Sequence, residues 1–183
     1  RQVNRSRLLV CCFSSSSVFF RTHLLVSTCT PKRPPVVTQD VFEFQCLVAL
    51  MLSSQTKDPM VGKAMAKLKQ GLAPFSVEGV GSKSVEEIRD LIYGVGFHNN
   101  KAKYIVNSAA MIQEEHNGCV PSTFHGLCAL PGVGPKMAMI VMDVAFNECL
   151  GVSIDTHLHR MLQQLKWVKN SKNPEDTRIQ LER

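Results

Sequence analysis

Leu130-Pro131-Gly132-Val133-Gly134 constrains this chain more than any other stretch. Two glycines flank one valine, and apolar helical patterns run on both sides. Gly132 and Gly134 permit positive φ and a close backbone approach. Val133 is expected to tuck inward and pin the turn. The segment therefore reads as a tight hairpin joining two short helices. Amides of the turn, and those opening the next helix, would face outward and favour an anion. Such a turn can grip a nucleic-acid backbone without reading its sequence. An ordinary connection between two helices could use the same glycines. The full string Leu130-Pro-Gly-Val-Gly-x-x-x-Ala138 favours backbone binding.

From Asp40 onward the punctuation is that of an all-α domain. Asp40 and Glu43 have capping-box spacing and open a helix expected over 41–52, apolar almost all round and so central in the fold. Asp58-Pro59 reads as an N-cap followed by proline at the first helical position, with a stop at Gly71. Ser84 and Glu87 form a second capping box, for a helix that stops near Gly94. Asn99 or Asn100 is expected to cap a helix from Lys101 to about His116, ended by Gly118. Ser122 opens a short helix to Leu130, and further helices are expected over 136–147 and 157–167. Met65, Met111, Met137, Met139 and Met142 fall on apolar faces and read as core filler.

Charge says less than its total suggests. The net charge is +6, but six of the 21 Lys and Arg lie in residues 1–40 against a single acid. That leaves 15 basic and 14 acidic residues in 41–183, so nucleic-acid binding by the core must come from local geometry. Seven cysteines occur without a CxxC pair, which reads as reduced, mostly buried thiols in an intracellular protein. No run reaches the roughly 18–20 apolar residues that span a bilayer. Residues 1–39 are acid-free and rich in Arg and Ser, in the style of an organellar transit peptide. A secretory signal, or a segment with no native role, are the alternatives. The Pro-rich stretch 30–35 is a linker.

Candidate chemistry gathers at and after the hairpin. Lys136 falls in the first turn of a helix, where the positive end of the dipole and partial burial both favour the neutral amine. A neutral amine can attack C1′ of a deoxyribose and form a Schiff base. A phosphate-contacting lysine is the equal alternative. Asp155 precedes a helix and can serve as its N-cap, which would also hold an ionised carboxylate rigidly for electrostatic stabilisation of a sugar cation. Gln55 lies on the loop after the central helix, and a polar loop side chain can fill the hole left by an extruded base. His157 and His159 are two apart and share no helix face for a metal, so none is expected.

Four strings in order, LMLSSQTKD (50–58), GFHNNKAKYI (96–105), LPGVGPKMA (130–138) and IDTHLHR (154–160), resemble the endonuclease III family of DNA glycosylases, in the style of its eukaryotic branch. The likeness runs from about residue 41 to 167. It implies a helix-hairpin-helix six-helix barrel that removes oxidised pyrimidines from double-stranded DNA and nicks abasic sites by β-elimination. It places the Schiff-base lysine on Lys136, the catalytic aspartate on Asp155 and the space-filling glutamine on Gln55. The DNA contacts are expected at Gln55, Thr56, Asn99, Lys101, Leu130, Gly132, Val133, Gly134 and His157. The family carries a [4Fe–4S] cluster on four closely spaced cysteines after the barrel. No such set occurs in these 183 residues. The cluster is expected in a full-length protein and not on this chain, and the iron–sulfur domain is expected to be largely missing. The expected organisation is a leader over 1–39, a glycosylase domain over 40–167 and the start of a truncated C-terminal region over 168–183. A monomer acting in the nucleus, the mitochondrion or both, without membrane contact, completes the expectation. The alternative is a non-catalytic fragment that only holds the phosphate backbone. A third possibility is a truncated product with no stable fold.

Overall fold

The computed structural model describes residues 38–182; the linker and all but the last two residues of the expected leader fall outside the described residues. Every regular element among the described residues is a helix. In chain order these are α1 (Gln39–Ser53), α2 (Asp58–Gly71), α3 (Val77–Gly81), α4 (Val85–Leu91), α5 (His98–Glu115), α6 (Phe124–Ala129), α7 (Pro135–Ala145), α8 (Thr156–Gln164) and α9 (Pro174–Leu181).

Helix α1 is the axis, as its all-round apolar pattern dictates. It packs against α2, α5 and α7 and buries Phe44, Cys46, Leu47, Val48, Leu50, Met51 and Leu52. A fully buried side chain of this kind contributes about 1.5–3 kcal/mol, so this one helix is a large contributor to the main core. The core runs on through Met65, Leu68, Ile88, Ile105, Ile112, Leu127 and Met142. Met65, Met139 and Met142 are buried, and Met111 and Met137 pack against the same cluster. A second, small cluster of Ile154, Leu162 and Val168 lies under α8, with Leu181 of α9 packed on it.

The helix boundaries show where local signals were overruled. Ser84 and Glu87 do form the capping box, and the Gly118 amide closes α5 by donating to Ile112 O at 3.0 Å. Asp40 does not cap α1. The N-cap is Thr38, Asp40 sits inside the first turn, and Glu43 turns into the core, where Gln39 Nε2 donates to it at 3.0 Å. Asp58 lies inside α2, with Lys57 at the cap. Neither Asn99 nor Asn100 caps α5; the helix begins earlier, after Phe97 at φ 57°. Thr123 rather than Ser122 caps α6, its side chain accepting from the Gly126 amide. Of the described cysteines only Cys46 is buried, where burial pushes its thiol up to about 12. Cys119 and Cys149 are exposed, against the expectation of mostly buried thiols. No helix among the described residues is long and apolar enough to cross a membrane.

Candidate active site

The hairpin forms between α6 and α7. Leu130 ends α6 and is buried, so it anchors the turn. Gly132 takes the left-handed conformation at φ 78°, and its missing side chain makes room for the Tyr104 ring: a Cβ there would sit 2.7 Å from Cδ2. Val133 is buried as expected, its amide donating to Leu130 O at 3.1 Å. Ser108 Oγ of α5 donates to Pro131 O at 3.2 Å and ties the turn to the barrel. Gly134 differs from expectation. It has φ −97°, ordinary extended backbone, and serves as N-cap of α7. The space where its side chain would stand is open. Gly134 therefore leaves the outer face of the turn accessible, while Gly132 alone supplies the positive φ. Pro135 opens α7 without an amide N–H, and the amides of Lys136 and Met137 that follow have no intrahelical acceptor.

Lys136 follows one residue after Pro135, in the first turn of α7. Its Nζ lies 3.2 Å from Asp155 Oδ2, with the two side chains 36% and 18% exposed. Asp155 is also the N-cap of α8: the Leu158 amide donates to Oδ1 at 2.7 Å. One carboxylate oxygen thus fixes a helix start and the other meets the amine. Burial works against the charge on Asp155, but the Leu158 amide, the Lys136 ammonium and His157 outweigh it and hold the carboxyl below its ordinary range. The carboxylate is anionic at neutral pH. His157 is exposed beside it, whereas His159 Nδ1 pairs with Thr177 Oγ1 of α9 and braces α8 from behind.

A cleft of about 290 Å³ opens beside this centre, lined by Met51, Ser54, Gln55, Phe97, Asn100, Lys101, Tyr104 and Gly132. Neither Lys136 nor Asp155 lines it. Gln55 and Phe97 are exposed and both carry positive φ, 50° and 57°. Asn99 is exposed at the start of α5. Lys101 departs from its expected role. Its side chain is turned inward, and its ammonium donates to Leu52 O at 2.8 Å, Ser54 O at 2.6 Å and Thr56 Oγ1 at 3.0 Å. It has no N–H left for a phosphate. Thr56 is likewise engaged inside the protein. Phe97 and Tyr104 were not singled out from the sequence, although two aromatics within a polar helix start were the available signal.

Among the described residues no group of three or more His, Cys, Asp or Glu is placed to hold a metal. Cys46, Cys119, Cys128 and Cys149 belong to no such group, and so they do not fit an iron–sulfur cluster.

Comparison with known proteins agrees with this architecture. Endonuclease III-like protein 1 of Gallus gallus is 44% identical over 144 residues, covering 78% of this chain and 50% of its own length. The endonuclease III homolog of Schizosaccharomyces pombe is 43% identical over 142 residues, covering 77% and 40%. The chain thus spans half or less of these relatives. The structure of a trapped endonuclease III–DNA covalent intermediate matches with a TM-score of 0.68 at 27% identity, covering 90% of this chain and 75% of that one. A non-covalent endonuclease III–DNA complex matches equally well, at 0.68 and 26%. The pattern of HhH-GPD superfamily base excision DNA repair proteins matches residues 48–183. With the glycine hairpin, the amine and the carboxylate in place along that stretch, this chain belongs to the HhH-GPD superfamily of base excision DNA repair proteins.

Proposed function

We propose that this chain is the hairpin-bearing part of a DNA glycosylase with abasic-site lyase activity, acting on oxidised pyrimidines in double-stranded DNA. The observation that carries this reading is the 3.2 Å approach of Lys136 Nζ to Asp155 Oδ2, one turn from a backbone-binding hairpin. Asp155 takes a proton from the ammonium of Lys136, and the freed amine attacks C1′ of the flipped nucleotide. The bond from C1′ to the base breaks, and the base leaves with the electron pair and takes the proton from Asp155, which becomes anionic again. Asp155 stays close enough to stabilise positive charge that develops on the sugar. The second amine proton passes to O4′ as the C1′–O4′ bond opens, which leaves the protonated Schiff base on Lys136. Removal of a C2′ proton then expels the 3′ phosphate by β-elimination. Gln55 and Phe97 meet the duplex where the base has left, the hairpin amides hold the phosphate, and Asn99 and His157 contact the backbone nearby. The closed set of partners around Lys101 keeps it out of that list.

A DNA substrate and the acid-free, Arg- and Ser-containing leader support action in the nucleus or mitochondrion. A second reading is favoured by one observation, that the cleft is lined by Gln55 and Phe97 but not by the amine and carboxylate. On that reading the chain holds DNA without cutting it. Incubation with a thymine-glycol duplex separates the two. Excision of the base and strand scission that vanish in Lys136→Gln support the enzyme; binding with neither product supports the second reading.

A further inference from the structure

Thr56 and Lys101 tie together two loops that are 40 residues apart. Thr56 Oγ1 donates to Ser54 O at 3.1 Å and accepts from the Gly96 amide at 3.2 Å and from Lys101 Nζ at 3.0 Å. A hydroxyl has one donor and two acceptor sites, so Thr56 is saturated. Lys101, 5% exposed, uses its three N–H groups on Leu52 O, Ser54 O and Thr56 Oγ1. Two of these acceptors are carbonyls at the end of α1, which the helix itself leaves without donors. The loops also touch directly, since a Cβ on Gly96 would sit 2.6 Å from Gln55 O. On either side of the tie stand Gln55 and Phe97, both exposed and both left-handed. Non-glycine residues hold that conformation only where their surroundings impose it.

We propose that Lys101 is a positioning residue that locks Gln55 and Phe97 as a rigid pair for entry into a duplex opened at a damaged site. The inference rests on the DNA-repair reading above. Lys101 touches no substrate; it acts through the loop it holds, and cutting the tie leaves the pair free to sample conformations that do not fit the gap. The phosphate-binding hairpin is untouched by this loss, so binding to a flexible single strand is spared.

The test measures fluorescence anisotropy on the full chain, with a duplex carrying a stable tetrahydrofuran abasic analogue and with the corresponding single strand. Lys101→Met and Thr56→Val should each weaken duplex binding about tenfold, because Gln55 and Phe97 are no longer held in place, and leave single-strand binding within about twofold. In a chain already carrying Gln55→Ala and Phe97→Ala, Lys101→Met should add no further loss, which a merely structural residue would not reproduce. Equal weakening on both strands, additivity in the combined variant, or no wild-type preference for the duplex would each overturn the proposal. Binding is read without chemistry, so a chain that fails to cut DNA overturns the lyase reading while this measurement still judges the tie.

Discussion

Lys136 and Asp155 share an ion pair that also starts a helix: Oδ2 meets the amine at 3.2 Å and Oδ1 accepts from the Leu158 amide at 2.7 Å. The carboxylate therefore has a structural and a chemical task, and the two can be separated. Asp155→Asn keeps an N-cap acceptor and should change stability by less than about 0.5 kcal/mol, while Asp155→Ala should cost about 1 kcal/mol. Both should slow base excision by about a hundredfold or more, since the negative charge is gone in each. Chemical denaturation and single-turnover excision, run side by side, check the separation.

The two hairpin glycines should respond differently to the same substitution. Gly132→Ala meets a left-handed φ of 78° and the Tyr104 ring at 2.7 Å, and should destabilise the fold by ~1–3 kcal/mol. Gly134→Ala enters open space at φ −97° and should leave stability within about 1 kcal/mol. Its new methyl group would stand where a phosphate approaches, so DNA affinity should fall while the melting temperature holds. Thermal unfolding paired with DNA titration reads both.

Lys101 should leave a mark at alkaline pH. Burial lowers its amine from 10.5 to about 8. Between those values the unfolded chain holds a proton that the folded chain has released, so this group makes stability rise with pH through the window from 8 to 10.5. Below 8 both states are protonated and the slope disappears. Unfolding free energies of the wild type, minus those of Lys101→Met, should grow with pH across that range and stay flat beneath it.

Elements governed by local chemistry were legible in the sequence. The Gly132 turn, the inward Val133 and the Ser84–Glu87 box each depend on residues within a few positions of one another. Asp155 was legible as a cap for the same reason. Asp40, Asp58, Asn99 and Ser122 looked like caps, yet each helix starts one or more residues away from its expected start. At α1 Glu43 is drawn into the core, at α5 Phe97 takes the position before the helix in a left-handed conformation, and at α6 the Thr123 side chain supplies the cap. Lys101 was misread because its partners lie 45 to 49 residues earlier, at the end of α1. Nothing in the polar string around it says which way the amine turns. Helices α3 and α9 are not among the helices expected from the sequence. The five residues of α3 are too few for a periodic signal, but Asn173-Pro174-Glu175-Asp176 carries a cap, a first-position proline and an acidic first turn.

The residue that forms a covalent bond with DNA decides whether Lys136 is the nucleophile. The full chain is incubated with an abasic duplex and borohydride, digested, and the modified peptide is located by mass spectrometry. The prediction is a single adduct on the Nζ of Lys136, lost in Lys136→Gln while that variant still binds DNA. An adduct on another residue, one that persists in Lys136→Gln, or none in the wild type would contradict it.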